Sequence, residues 1–294
     1  MNGVAREIAA PTIPGPIAET RRPKLELPPG SCDCHAHIFG PQSKYPYAPN
    51  RRYTPPDATL ADYTRMLETI GVERAVLVQA SVYMTDNSAI LDALAEKSFA
   101  LRAVAAANDS VTDAQLETMD RLGVRGLRIN LRNDNGTRAE MAPGLAARIA
   151  PLGWHLQFHV DGRELPAALP LFGKLPVDIV LDHVVRVPVA QGLDSTVFKA
   201  VRALVQGGRC WVKLSAPMRM SNGEYPYADV TPFVRALVET APERMLWATD
   251  WPHTTLTKAM PNDGDLVDLL SAWIPDAQTR KKVLVDNPAR LYRF

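Results

Sequence analysis

The sequence predicts a (β/α)8 TIM barrel: one domain over residues 31–294, preceded by an irregular Pro-rich arm over residues 1–30. Three observations predict it. Short apolar or β-branched runs alternate eight times with helix-period segments, over the roughly 250 residues such a barrel takes. Chemistry-bearing side chains collect at the C-terminal ends of those runs, where barrel active sites form. No Gly-rich phosphate loop follows the first run, which counts against a doubly wound sheet.

The elements follow in order. Residues 1–30 carry Pro11, Pro14, Pro16, Pro23, Pro28 and Pro29. Proline removes backbone donors, so this arm is ordered only where it lies on the domain. Eight strands are expected at Cys32–Ile38, Arg74–Gln79, Arg102–Ala106, Gly126–Asn130, His155–Val160, Asp178–His183, Cys210–Leu214 and Met245–Asp250. Helical patterns lie between them, for example Leu60–Ile70, Asn87–Lys97, Thr112–Leu122, Phe198–Val205, Thr231–Glu239 and Leu266–Trp273. Gly71, Gly123 and Gly207 stand where helix C-terminal glycines belong.

The chain's 294 residues are 46% hydrophobic, and Lys+Arg 33 against Asp+Glu 32 leave a net charge of +1. That balance gives no electrostatic case for nucleic acid or a membrane surface. No stretch approaches the roughly 20 apolar residues of a membrane span. No apolar run of signal-peptide length follows the first basic residue, and three cysteines show no framework spacing. The expectation is a cytoplasmic protein with reduced thiols. Composition leaves a homo-oligomer open.

The first strand carries the densest signal, Asp33-Cys34-His35-Ala36-His37. Regular alternation would put Asp33, His35 and His37 on one face, with Cys32, Cys34 and Ala36 packed behind them. Later strand ends add Gln79 and Ser81, Asn108, Arg128, Asn130 and nearby Arg132. They continue with His159 and Asp161, His183 and Arg186, Ser215 and Arg219, and finally Asp250 followed by Trp251-Pro252-His253. Four of the six histidines fall at strand ends, with His253 just beyond the eighth. His155 begins its strand and reads as structural. Singly, each residue also has an ordinary structural role open to it, such as a core histidine, a turn-capping aspartate or a solvated arginine. The barrel brings them to one rim, and the functional reading is a joint one.

His35-x-His37 on strand one, His159 on strand five, His183 on strand six and Asp250 on strand eight resemble the amidohydrolase superfamily. Finer segments resemble its lactone-cleaving branch: Tyr45-Pro46-Tyr47-Ala48-Pro49, Val78-Gln79-Ala80-Ser81, Gly123-Val124-Arg125-Gly126-Leu127-Arg128, Trp211-Val212-Lys213-Leu214-Ser215, Thr249-Asp250-Trp251-Pro252-His253 and Asn287-Pro288-Ala289-Arg290-Leu291-Tyr292. The resemblance covers about Ser31 to Phe294 and implies a lactone hydrolase. Lactone isomerisation and metal-dependent decarboxylation of an aromatic acid are the alternatives within the superfamily.

Opening a lactone needs an activated water and a polarised carbonyl. Asp250 is the expected base, and His183 the expected donor to the carbonyl or its oxyanion. Binuclear members carry a bridging lysine or glutamate at the fourth strand's end, where this chain has Arg128-Ile129-Asn130. A fifth-strand histidine matches the mononuclear pattern, so the resemblance implies one Zn2+ held by His35, His37, His159 and Asp250; a metal-free site is the alternative. Arg128, Arg132, Arg186 and Arg219 suit carboxylate or sulfonate groups. An anionic lactone is therefore the expected small-molecule partner, with Arg219 gripping a remote acid group. Tyr47, Ser81 and His253 complete the expected binding set. The loop from Tyr45 to Pro56 reads as a cover, and Asn133-Asp134-Asn135-Gly136 beside Arg132 as mobile.

Overall fold

The computed structural model describes residues 10–132 and 136–294. The mobility expected of the loop after Arg132 therefore falls largely outside the described residues, as do the first nine residues of the arm. Eight parallel strands form one sheet in chain order. They are β1 (Cys32–Ala36), β2 (Arg74–Val78), β3 (Ala100–Ala105), β4 (Val124–Asn130), β5 (His155–His159), β6 (Ile179–Leu181), β7 (Cys210–Leu214) and β8 (Met245–Trp247). The barrel closes just past the end of β8. There Asp250 donates its N–H to the His35 carbonyl (3.0 Å), and His37 donates to the Trp251 carbonyl (2.8 Å).

Helices α1 (Leu60–Ile70), α2 (Ser88–Glu96) and α3 (Asp113–Leu122) sit where the apolar period places them. So do α6 (Thr196–Gln206), α7 (Thr231–Thr240) and α8 (Asp263–Trp273), numbered with two further helices counted between. Those two are α4 (Ala142–Ile149) and α5 (Leu165–Phe172), each with a proline in its first turn, which blurs the periodic signal. The chain ends in α9 (Ala277–Lys281), a π-helical turn and α10 (Asn287–Tyr292). Capping boxes at Thr59 and Thr112 start α1 and α3. Gly71 and Gly123 end them in the left-handed region, as expected. Gly207 does not: it stays right-handed at φ −65°, and Gly208 makes the turn at φ +80°.

Two apolar layers result. The larger lies between strands and helices; the smaller fills the lower barrel with Cys32, Cys34, Val76, Val78, Val104, Val180, Leu246 and Ala248. Tyr292 of α10 packs into that lower layer. All three cysteines are free and buried. Here the expected face of β1 is corrected. Register shifts between Asp33 and Ala36 against β2, a bulge that breaks the alternation. Asp33 turns outward and accepts from Tyr63 of α1 (2.9 Å) and from the Thr249 backbone (3.0 Å). Cys34 and His35 both face inward.

Residues 10–30 add no helix or strand of their own. Thr12 bridges Thr54 in the cover loop. Further along, the arm lies on α8: Arg21 N–H donates to Asn262 Oδ1 (3.0 Å), and Lys24 and Leu25 N–H both donate to Asp268 Oδ1. Among the described residues, no helix is long and apolar enough to cross a membrane.

Candidate active site

At the C-terminal mouth of the barrel, inward side chains change from apolar to polar. The transition layer holds Lys213 of β7, Gln157 of β5, His35 of β1 and Asp182 just after β6, all fully buried. The Lys213 ammonium donates to Gln157 Oε1 (2.7 Å) and lies 3.7 Å from Asp182 Oδ1. Asp182 also accepts from His35 Nδ1 (3.1 Å) and Arg128 (3.4 Å). Burial alone would raise the Asp182 carboxyl, but His35, Lys213 and Arg128 hold it well below the usual carboxylate range. Burial also lowers Lys213 to about 8. These charges persist only because they are paired.

Above that layer lies the chemistry. The rings of His35 and His37 meet edge to face at 5.0 Å, and His35 lies 4.7 Å from His183. Asp250 Oδ1 sits 3.5 Å from His183 Nε2 and 3.9 Å from His35 Nε2, while its Oδ2 accepts from Arg219 Nε at 2.9 Å. Burial by itself would raise the Asp250 carboxyl; the surrounding His183 and Arg219 outweigh it and keep it far below the ordinary range. Burial lowers His183, drops His37 to about 4 and takes His35 well below its usual value, so all three imidazoles are neutral near pH 7.

Neutral imidazoles carry one proton each, and the partners fix its place. His37 Nδ1 meets the Val78 carbonyl (2.7 Å), which only accepts, so its Nε2 is a lone pair. His35 Nδ1 lies 3.1 Å from ionised Asp182 and 3.3 Å from the Lys213 ammonium, which donates at 2.7 Å to Gln157. The nearer carboxylate fixes the His35 proton on Nδ1, so its Nε2 is a lone pair too, buried and without a hydrogen-bond partner. Ligand atoms of His35, His37 and Asp250 all lie within 4.8 Å of one another, as do those of His35, Asp182 and His183. The first group offers three acceptors and no donor, with each histidine oriented by a carboxylate or carbonyl behind it. That is the pattern of a metal-binding set. His159 belongs to neither group. The expected four-ligand set thus comes together as three.

The cleft over these residues is lined by His37, Ser81, Arg128, Arg132, His159, His183, Arg186, Arg219 and Asp250, and by Tyr53, Asn130, Thr254 and Thr255. Two expected binding residues lie elsewhere. Tyr47 packs between Phe39 and Tyr83 as part of an aromatic cluster, and Tyr53 of the same loop reaches the cleft in its place. His253 is buried against Asp263 at the start of α8 (3.0 Å). Arg219 differs in partner: it grips Asp250 and the Thr254 carbonyl (2.8 Å) rather than standing free for a remote acid. Arg132 lies 3.7 Å from Asp161.

The loop after β6 holds four consecutive left-handed residues, His183, Val184, Val185 and Arg186, at φ 56°, 51°, 57° and 47°. β-Branched valines rarely adopt that region, and such strain concentrates at functional sites. Here it turns His183 and Arg186 into the cleft. Lys213 and Gln157 are not legible from the apolar runs that mark their strands. The available signal was period two: Lys213 stands two residues before Ser215, already placed at the same strand's inner end.

The amidohydrolase family profile matches residues 32–294. The chain belongs to the amidohydrolase family. It is 40% identical to a 2-pyrone-4,6-dicarboxylate hydrolase of Comamonas testosteroni, over 94% of both proteins. It is 36% identical to a 4-sulfomuconolactone hydrolase of Rhizobium radiobacter, over 98% of both. An apo crystal structure from Agrobacterium tumefaciens superposes with a TM-score of 0.82 at 28% identity, covering 92% of this chain and 98% of that one. Among amidohydrolases, this chain thus shares both sequence and barrel architecture with relatives over nearly its whole length.

Proposed function

We propose that this amidohydrolase hydrolyses a lactone bearing a carboxylate or sulfonate group. The observation that carries the reading is the buried, ionised Asp250 between two imidazoles, facing a cleft with four arginines on its walls. Two curated relatives named for anionic substrates of this kind support it.

Arg219 occupies Asp250 Oδ2, which leaves Oδ1 for a water molecule. That water can donate one proton to Oδ1. Its oxygen attacks the lactone carbonyl carbon as Asp250 takes the proton. His183 Nε2 faces an ionised carboxylate, so it carries the hydrogen, and its Nδ1 accepts from the Ser215 hydroxyl (2.9 Å). His183 therefore donates to the carbonyl oxygen as negative charge develops there. Asp250 then passes its proton to the leaving ring oxygen, giving the ring-opened hydroxy acid. Zinc suits the three acceptors His35 Nε2, His37 Nε2 and Asp250, and when bound it would lower the pKa of water to around 7.

The deciding experiment incubates the protein with a panel of lactones, with and without acid groups, following lactone loss and acid release. Turnover of an anionic lactone with one proton released per ring opened is the expected result. Turnover confined to neutral lactones, or to none, overturns the reading.

A further inference from the structure

His159, like His183 and unlike His35 and His37, carries its proton on Nε2. Its Nδ1 lies 3.4 Å from an Arg128 NH2 group. A guanidinium can only donate, so the Nδ1 in that contact is the acceptor. Burial and the adjacent Arg128 keep the ring neutral. The single proton is therefore on Nε2. That atom is buried and has no hydrogen-bond partner among the described residues, while the ring lines the cleft. An N–H cannot ligate a metal, and His159 stands outside both candidate ligand groups. A buried, unpaired donor facing a binding cleft awaits an acceptor on the ligand.

Arg128 explains the strength of that donor. Its two terminal NH2 groups donate to the Gln79 carbonyl (3.2 Å), to Asp182 (3.4 Å) and to His159. Its charge reaches the cleft through the imidazole, since donation into Nδ1 polarises the N–H on the far side. The position of His159 identifies the acceptor. The His159 ring meets the His183 ring edge to face at 5.5 Å between centroids, while Asp250 makes its contacts with His183, His35 and Arg219. With the water assigned to Asp250 and the carbonyl oxygen to His183, the His159 N–H is left for another part of the substrate.

We propose that His159 is a specificity-determining donor, whose Nε2–H binds an oxygen of the substrate's carboxylate or sulfonate group and not a metal. This rests on the lactonase reading for its substrate and on the structure alone for its proton. The test compares wild type with His159→Leu and His159→Gln, the amide placing an N–H near the former Nε2 position. Leu should raise KM for an acid-bearing lactone at least tenfold with kcat within about threefold, because a remote contact is made equally in ground and transition states. Gln should recover most of that loss, and the difference should vanish for the same lactone without its acid group. Running carboxylate and sulfonate substrates in parallel shows which oxyanion is held. Metal content per chain, after loading with zinc and desalting, should be the same in all three proteins. Nitrogen-15 spectra of the substrate-free wild type should show the His159 proton on Nε2. A drop in metal content in the Leu variant, a proton on Nδ1, or an unchanged KM would each overturn the proposal. If wild type turns over no lactone, the functional reading fails, while the metal and tautomer measurements still decide the role of His159.

Discussion

Asp250 is the residue on which the chemistry turns, and replacing it by Asn tests that directly. Asparagine keeps the shape but cannot accept a proton, so kcat should fall at least about a hundredfold with the fold intact by circular dichroism. A variant keeping more than a tenth of wild-type kcat would remove Asp250 as base. Arg219→Met tests the neighbour. An Arg219 gripping a remote acid group, as expected from the sequence, would make its loss a KM effect alone. The 2.9 Å contact to Asp250 changes the expectation, because the base loses its orienting partner. Losing a charge-assisted bond of about 1.5–3 kcal/mol should now appear in kcat, roughly ten- to a hundredfold, as well as in KM. Steady-state kinetics with a rise confined to KM would return Arg219 to substrate binding. At this scale the sequence was informative about residue type and strand end, which named Asp250, His35, His37 and His183. Hydrogen-bond partners were beyond it: that Arg219 meets Asp250, or that Arg128 meets His159, depends on side chains 31 residues apart in each case.

The strands and helices were mostly legible because apolar period and cap residues are local. The β1 bulge was not. It depends on Asp33 being captured by Thr249, 216 residues away, together with Tyr63 of α1. Without that capture, strict alternation would send His35 and Asp33 to the same face. Tyr47 failed for a related reason: a proline-rich loop gives no period from which to tell which tyrosine faces inward. The arm offers a test at the scale of elements. A Cβ placed on Gly264, in the first turn of α8, would lie 2.0 Å from the Arg21 carbonyl oxygen. Backbone cannot yield as a flexible side chain does, so Gly264→Ala should push the arm off α8. The expected cost is about 1–3 kcal/mol, read by thermal unfolding, with faster proteolysis within residues 10–30. An alanine variant with wild-type melting and protease resistance would show that the arm contributes nothing to this face.

For the whole molecule, the consequence of burying so many imidazoles is a stability that depends on pH. His37 is held down to about 4 and His155 to about 3, both chiefly by burial, against an ordinary value of 6.5. His35, His159 and His183 are lowered as well. Between about pH 6.5 and 4 the unfolded chain binds these protons and the native chain does not. Stability is therefore intact above pH 6.5 and is lost as pH falls through that window, by about 1.4 kcal/mol per pH unit for each such group. Asp33 works in the opposite sense. Burial raises it from 3.8 to about 6, so in the same window the native state holds a proton that the unfolded state has released. One group of that sign offsets one histidine and leaves the others unopposed, so the histidines win. Urea midpoints at pH 7, 6 and 5 should fall at each step, and a midpoint constant over that range would contradict the buried, neutral imidazoles. Zinc gives a second reading of the same linkage. If His35 and His37 offer lone pairs as their partners require, added zinc should raise the midpoint at pH 7, where both rings are neutral, and lose that effect towards pH 4 as protons compete for the same nitrogens.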